Sequence, residues 1–265
     1  MYGLVQKLRL QNGLFLIFAQ IYLVWQYQQV FTLPLLCWIL ATAFIASGGY
    51  LTNHRNDIQK TGKPHWIELL YYTLGLIGLS ITSWLSQSML FFASGALATI
   101  MLLIYSQHLK HRGIIGNVCV ALLTAWVFVG LALIMAIANT NIPKGLMLLA
   151  YFSLLSTLQR EWIKDLEDIK EDQLLNRKTI PIVLGAKTTI YLQATLGAFI
   201  LYKISVSLSI PNLSSWPFYA LTLWLIAYAF LSFSPLFKFT SFKLLQRGIK
   251  IAQAFIILCW PYLIR

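Results

Sequence analysis

Long apolar runs separated by short charged loops dominate this chain and restrict what it can fold into. About nine stretches approach the roughly 20 residues that a helix needs to cross ~30 Å of hydrocarbon. They cover residues 12–30, 33–52, 66–86, 88–105, 114–138, 143–164, 181–206, 214–236 and 241–263. None alternates polar and apolar residues as a strand would, and open strands do not survive in lipid. The expected fold is all-α: a polytopic membrane helical bundle of about nine transmembrane helices with cytoplasmic cap loops. One domain is expected over residues 1–265. Only 11% of residues are charged and 58% are hydrophobic, whereas a soluble domain carries about 25% charged residues. Lys7 and Arg9 precede the first run without a clean small-residue cleavage site after it, so that run reads as a retained helix.

The charges are distributed as unevenly as the apolar residues. Net charge is +12, from 20 Lys and Arg against 8 Asp and Glu. In a soluble protein such an excess would suggest nucleic acid. Here topology explains it. With a cytoplasmic N-terminus, every Lys and Arg falls on the cytoplasmic side except Lys144, Lys203 and Arg265, as the positive-inside bias requires. No nucleic-acid partner is expected. The chain reads as an integral protein of a bacterial cytoplasmic membrane, with its polar loops facing the cytoplasm. Cys37, Cys119 and Cys259 sit in separate apolar stretches and read as small buried hydrophobes. His54, His65, His108 and His111 lie near the cytoplasmic surface and read as solvated.

All 8 acidic residues share that cytoplasmic face. Placing any of them in hydrocarbon would cost roughly 2.5–3.5 kcal/mol, so two clusters at the membrane surface call for a reason. The first is Asn53-His-Arg-Asn-Asp57-Ile-Gln-Lys-Thr61. If the second helix continues past the membrane, residues 53, 57 and 61 share one face. They offer an amide oxygen, a carboxylate and a hydroxyl, the hard oxygen ligands that Mg²⁺ accepts; a plain polar helix end is the alternative. The second cluster is Asp165-Leu-Glu-Asp168-Ile-Lys-Glu-Asp172. On a continuous helix, Asp165, Asp168 and Asp172 also share a face. Like charges about 4 Å apart repel by ~4 kcal/mol at an effective dielectric of 20, and a divalent cation turns that repulsion into binding. The alternative is a solvated mixed-charge helix with Lys164 and Lys170 as neighbours. Mg²⁺ takes few protein carboxylates and completes its shell with phosphate oxygens. The expected ligand is therefore a lipid diphosphate, its anion held by nearby Lys and Arg.

These segments carry a resemblance. Arg160-Glu-Trp-Ile-Lys-Asp-Leu-Glu-Asp-Ile-Lys-Glu-Asp172, followed by Arg177-Lys-Thr-Ile-Pro-Ile-Val-Leu-Gly185, resembles the second aspartate motif of UbiA-superfamily intramembrane prenyltransferases. Gly49-Tyr-Leu-Thr-Asn53 through Asp57 to Lys63-Pro64 resembles the first. Arg9-Leu-Gln-Asn12, and Tyr105-Ser with Leu109-Lys110 and Gly116-Asn117, are similar too. Within the superfamily, the geranylgeranylglyceryl phosphate geranylgeranyltransferase-like members are the most similar. The chain departs from the family pattern where His54 and Thr61 stand in place of two aspartates and Glu171 in place of a frequent glycine. The connection to Lys63-Pro64 is also shorter.

The resemblance implies Mg²⁺-dependent transfer of an isoprenyl group from a prenyl diphosphate donor to a lipid-soluble aromatic or hydroxyl acceptor within the membrane, among membrane lipids. It implies Asn53, Asp57, Asp165, Asp168 and Asp172 as metal ligands, with Asp168 and Asp172 catalytic. Lys110, Arg160 and Lys164 are implied as diphosphate contacts. The two replacements in the first motif imply a weaker metal site there. Two other readings remain open: a terpene cyclase of the same fold, and a non-catalytic lipid-binding homologue with a degenerate first motif. Trp66, Tyr71, Tyr72, Trp84 and Trp126 would serve a carbocation through cation–π contact, or else are ordinary core and interfacial aromatics.

The charge bias predicts that residues 53–65 and 160–180 face the cytoplasm and Arg265 the opposite side. Single introduced cysteines probed with an impermeant thiol reagent test this, and labelling of both acidic loops from outside overturns it.

Overall fold

A computed structural model describes residues 10–27, 30–59, 65–110, 112–139, 143–207, 216–237 and 241–263. Helices account for nearly all of them, and no strand occurs among the described residues. In chain order the α-helices are α1 Leu10–Gln26, α2 Leu33–Gln59, α3 Trp66–Leu85, α4 Leu90–Ile104, α5 Ile114–Asn139, α6 Lys144–Glu167, α7 Ile169–Leu174, α8 Ile180–Leu184, α9 Ala186–Ser207, α10 Trp216–Phe233 and α11 Phe242–Leu263. A π-turn, Tyr105–Leu109, prolongs α4, and a 3₁₀ turn, Ser234–Phe237, prolongs α10. Among the described residues, six helices are long and apolar enough to span a membrane: α2, α3, α4 with its π-turn, α5, α9 and α10 with its 3₁₀ turn. The apolar part of α1, Asn12–Gln26, is shorter. The backbone of such helices is satisfied internally, which hydrocarbon demands.

The chain divides into two compact units, Met1–Lys110 with Trp126–Leu146, and His111–Ala125 with Met147–Arg265. In the first unit Trp38 is fully buried. Its ring packs edge-on against Phe91 at 5.6 Å and Trp126 at 5.1 Å, a favoured arrangement for aromatic pairs. Small residues let the helices approach. A side chain at Gly75 would strike Ile45, and one at Gly78 would press on Ala41, so α2 and α3 lie nearly backbone to backbone.

In the second unit, α6, α9 and α10 are joined by buried amides and hydroxyls. Gln159 Nε2 donates to Gln193 Oε1 at 3.3 Å and to Ser232 Oγ at 3.1 Å. Tyr228 Oη donates to Gln159 Oε1 at 2.5 Å, and Gln193 Nε2 to the Ser232 carbonyl at 2.9 Å. Trp224 stacks on Tyr228 and donates from Nε1 to the Ala252 carbonyl of α11 at 2.7 Å. Buried polar atoms are tolerated in such a core because they are paired. This cross-linking sets α6, which carries the second acidic cluster at its end.

Gly130 of α5 lies against Trp38: a Cβ there would come within 2.0 Å of the indole. Gly130→Ala is expected to destabilise the protein by about 1–3 kcal/mol through overpacking, and Trp38→Phe in the same chain should recover part of the loss. Thermal unfolding in detergent checks both; an unchanged midpoint for Gly130→Ala overturns the assignment.

Candidate active site

Helix α2 does continue beyond its apolar part, through Gln59. Asn53 is half-buried on it, and Asp57 falls one turn later. The side chain of Asp57, and Thr61 entirely, lie outside the described residues. What surrounds Asn53 was not anticipated from the sequence. Arg55 Nε donates to both carboxylate oxygens of Glu68 on α3, at 2.9 and 3.1 Å. Thr52 Oγ1 donates to Glu68 Oε2 at 3.3 Å and lies 3.1 Å from Tyr72 Oη. Glu68 is only 4% exposed. It is a buried, fully committed carboxylate and not a solvated acid of the connecting loop. From the next position along α2, Asn56 Nδ2 donates to Ser106 Oγ in the π-turn at 2.8 Å. That turn ends at Lys110, which is half-buried and whose N–H bonds the Tyr105 carbonyl at 2.9 Å. Turns of this kind recur at functional sites.

The second cluster does not form the single straight stripe that a continuous helix would give. Helix α6 ends at Glu167, Asp168 leaves helical geometry (φ −90°, ψ 4°), and α7 begins at Ile169. Backbone bonds from Asp168 N–H to the Lys164 carbonyl and from Asp172 N–H to the Asp168 carbonyl keep the bend tight. Asp165 and Asp172, on either side of the bend, find different partners. Asp165 Oδ2 accepts from Asn117 Nδ2 of α5 at 2.8 Å. Asp172, 3% exposed, is paired with Arg177 Nη1 at 3.0 Å. Asp168 lies between them, half-buried, with no side-chain hydrogen bond or ion pair among the described residues. Lys164 is half-buried beside them. Arg160 holds Glu161, itself buried, at 2.7 Å, so its guanidinium already serves a carboxylate of its own helix.

Asp165 and Asp168 lie past the end of the expected span at residue 164. Burial is the main cause that pushes the Asp165 carboxyl up, to about 7, with Glu161 and Asp172 adding to it; the Asn117 amide and Lys164 oppose the shift. Asp168 is raised as well, first by burial, then against Lys164 by Asp172, Glu167 and Glu171. Burial thus disfavours the charged form of both carboxyls more than the nearby Lys164 favours it. A cation arriving there meets oxygen donors that gain from its presence.

The loop after the cluster is fixed from below. Gly113 adopts φ +54°, and a Cβ on it would sit 2.8 Å from the Lys178 carbonyl, so this close approach needs glycine. Trp66 and Trp84 are exposed, Tyr72 is tied to Thr52, and Trp126 packs on Trp38; no single aromatic cage gathers them. Cys37, Cys119 and Cys259 form no disulfide among the described residues, and the last two are buried. His65 caps α3, its Nδ1 accepting from the Ile67 N–H at 3.4 Å, and His108 is exposed. His54 is half-buried, with Nε2 shielded and unpartnered among the described residues. His111 lies outside the described residues.

The raised Asp165 pKa has a signed consequence. The folded protein binds this proton more tightly than the unfolded chain does, so without added metal stability falls as pH rises from about 4 to about 7 and then levels. Asp165→Asn should flatten that part of the stability curve. Thermal midpoints across the window measure it, and an equal slope in both proteins overturns the burial argument.

The chain matches the family model described as the UbiA prenyltransferase family over residues 14–247. It is 37% identical over 145 residues to a digeranylgeranylglyceryl phosphate synthase of Methanosphaera stadtmanae, covering 55% of this chain and 52% of that protein. It is 33% identical over 147 residues to the protein of that name from Pyrococcus abyssi, covering 52% and 50%. The chain thus matches about half the length of these curated relatives. They are archaeal, and give no support to a bacterial membrane. Two solved structures share the fold. One is described as "Structural and mechanistic insights into the biosynthesis of Digeranylgeranylglyceryl phosphate synthase in membranes", with TM-score 0.70, 20% identity, and 99% of this chain and 98% of that one covered. The other is the apo structure of a UbiA homolog from Aeropyrum pernix K1, with TM-score 0.64, 17% identity, and 94% and 98% covered. With the matched region spanning all but the two ends, the chain belongs to the UbiA prenyltransferase family.

Proposed function

We propose that this protein transfers an isoprenyl group from a prenyl diphosphate to a hydroxyl of a lipid-soluble glycerol phosphate, within the membrane and at its cytoplasmic face, and that residues 1–265 act as one catalytic domain. Asp168 carries the reading. It is a half-buried carboxylate with no side-chain partner among the described residues, and along the chain it falls between Asp165, held by Asn117, and Asp172, held by Arg177. The names of the archaeal relatives support a prenylated glyceryl phosphate as the acceptor class.

The donors suit Mg²⁺. No three acidic or imidazole side chains form a complete metal cage among the described residues. Mg²⁺ does not ask for one, since it uses one or two carboxylates and fills its shell with water and phosphate oxygens. On the resemblance to the family motifs, Asn53 and Asp57 of the first motif, and Asp165, Asp168 and Asp172 of the second, would each offer oxygens to such ions. Bound there, the ion would neutralise charge building on the departing diphosphate. Asn117 and Arg177 orient the outer carboxylates as supporting partners do around metal ligands. On the resemblance to the family motifs, Lys110, Arg160 and Lys164 would contact the diphosphate, Arg160 by releasing Glu161. The carbon–oxygen bond to diphosphate breaks as the acceptor oxygen bonds to the allylic carbon and gives up its proton. Surrounding apolar helices keep water from the allylic carbon.

Asp168→Asn keeps the shape of the side chain and removes its charge. Turnover should fall by roughly 10²-fold or more, with the folded protein retained. Labelled prenyl diphosphates, incubated with the purified protein and prenylglyceryl phosphate, give the readout as acceptor-linked product. Wild-type diphosphate release without acceptor points to a cyclase. No release with any donor points to a non-catalytic homologue, and unchanged turnover in Asp168→Asn overturns the site.

A further inference from the structure

The first motif sits on a helix end that a buried ion pair holds in place. Successive helical residues turn by about 100°, so Thr52, Arg55 and Asn56 fall on one side of α2. Asn53 and Asp57 fall on the adjoining side. The clamping side is tied at two points. Glu68 of α3 takes both Arg55 and Thr52, while Ser106 takes Asn56. Arg55 and Glu68 side chains are only 11% and 5% exposed, so the pair cannot trade its partners for water. A guanidinium bound through one nitrogen to both oxygens of a fixed carboxylate restricts rotation of the helix that bears it. The neighbouring close packing agrees: a Cβ at Gly48, one turn before Thr52, would reach the Tyr72 ring at 2.9 Å.

We propose that Glu68 is a positioning residue: acting through Arg55, it fixes the rotation of the cytoplasmic end of α2 and so aims Asn53 and Asp57. The proposal rests on the prenyl diphosphate reading above. Glu68 touches neither donor nor acceptor. Its loss acts on the metal and donor requirement of the first motif, because a helix end free to rotate presents its oxygens in the ligand orientation only part of the time. It leaves the chemistry of a fully loaded site largely intact.

Three proteins decide it: wild type, Glu68→Gln, and the charge exchange Arg55→Glu with Glu68→Arg. Binding of an isoprenyl diphosphate analogue is titrated with Mg²⁺ on each, alongside thermal unfolding and steady-state turnover. The Mg²⁺ needed for half-maximal binding should rise about tenfold in Glu68→Gln, with the apparent KM for donor rising and kcat at saturating metal changing less than twofold. The exchanged pair should recover at least half of that shift. A merely structural role would lower the unfolding midpoint without moving the metal requirement. Unshifted metal dependence in Glu68→Gln overturns the proposal and leaves the functional reading standing. Absence of metal-dependent binding in wild type overturns the functional reading and the positioning role with it. If Glu68→Gln and the exchanged pair both fail to fold, the pair serves the fold and not the motif, which also overturns it.

Discussion

Hydrocarbon penalises unpaired polar groups, and the arrangement of this chain follows from that constraint. It forces the backbone into helices, whose N–H and C=O groups are satisfied within the segment. It disfavours any polar side chain left inside without a neighbour. The two units meet that demand by different means, although Gln20 Oε1 and Trp38 Nε1 in the first and Trp162 Nε1 in the second have no hydrogen-bond partner among the described residues. The second places amides and hydroxyls against one another, with Gln159 at the centre of four bonds to Gln193, Ser232 and Tyr228. The first places an arginine against a glutamate with a threonine beside them. Such contacts stabilise modestly, since a buried pair recovers little more than its desolvation cost. Their greater effect is to define which face of each helix points where.

That constraint also explains the electrostatics of the candidate site. Asp165 and Asp168 lie where a helix leaves the apolar layer, buried enough for desolvation to dominate their proton affinity. A fully solvated cluster would hold its carboxylates ionised and bind a divalent ion weakly, against water. A fully buried one would keep them protonated. The partly buried edge lies between these limits: the carboxylates are unsettled, and incoming positive charge is strongly favoured. The bend at Asp168 sharpens this. It gives Asp165 and Asp172 partners of their own and leaves the carboxylate between them uncommitted.

Much of this was legible in the sequence, because the features involved are local and periodic. Apolar runs define the helices, and the bunching of the 8 acids into two short segments of the chain marks the candidate site. Asn117 and Arg177 lay within segments that carried the family resemblance, though their hold on Asp165 and Asp172 emerges only from the fold. Other features resisted sequence reading for a physical reason. Spacing placed Asp165, Asp168 and Asp172 on one helical face, since periodicity assumes a straight helix; nothing in the letters marks where α6 breaks. Glu68 looked like one more surface acid. Its burial depends on Arg55, 13 residues away, meeting it across two helices brought together by Gly75 and Gly78. The π-turn at Tyr105–Leu109 has no composition signal of its own.

The departures in the first motif and the firmness of the second make sense together. Relative to the family pattern, His54 and Thr61 remove two negative charges from the first motif, and Arg55 adds a positive one. An unpaired arginine there would oppose cation binding by Asn53 and Asp57. Glu68 cancels that charge at short range, with both side chains withdrawn from water. Screening by a bonded, buried counter-charge is far more effective than screening by salt, because the pair behaves toward distant ions as a dipole and not as a charge. The first motif is thereby left close to neutral, offering oxygen atoms with little net attraction. The second keeps more carboxylates than Lys164 and Arg177 offset, and if Mg²⁺ binds as proposed above, that motif would supply the greater electrostatic attraction.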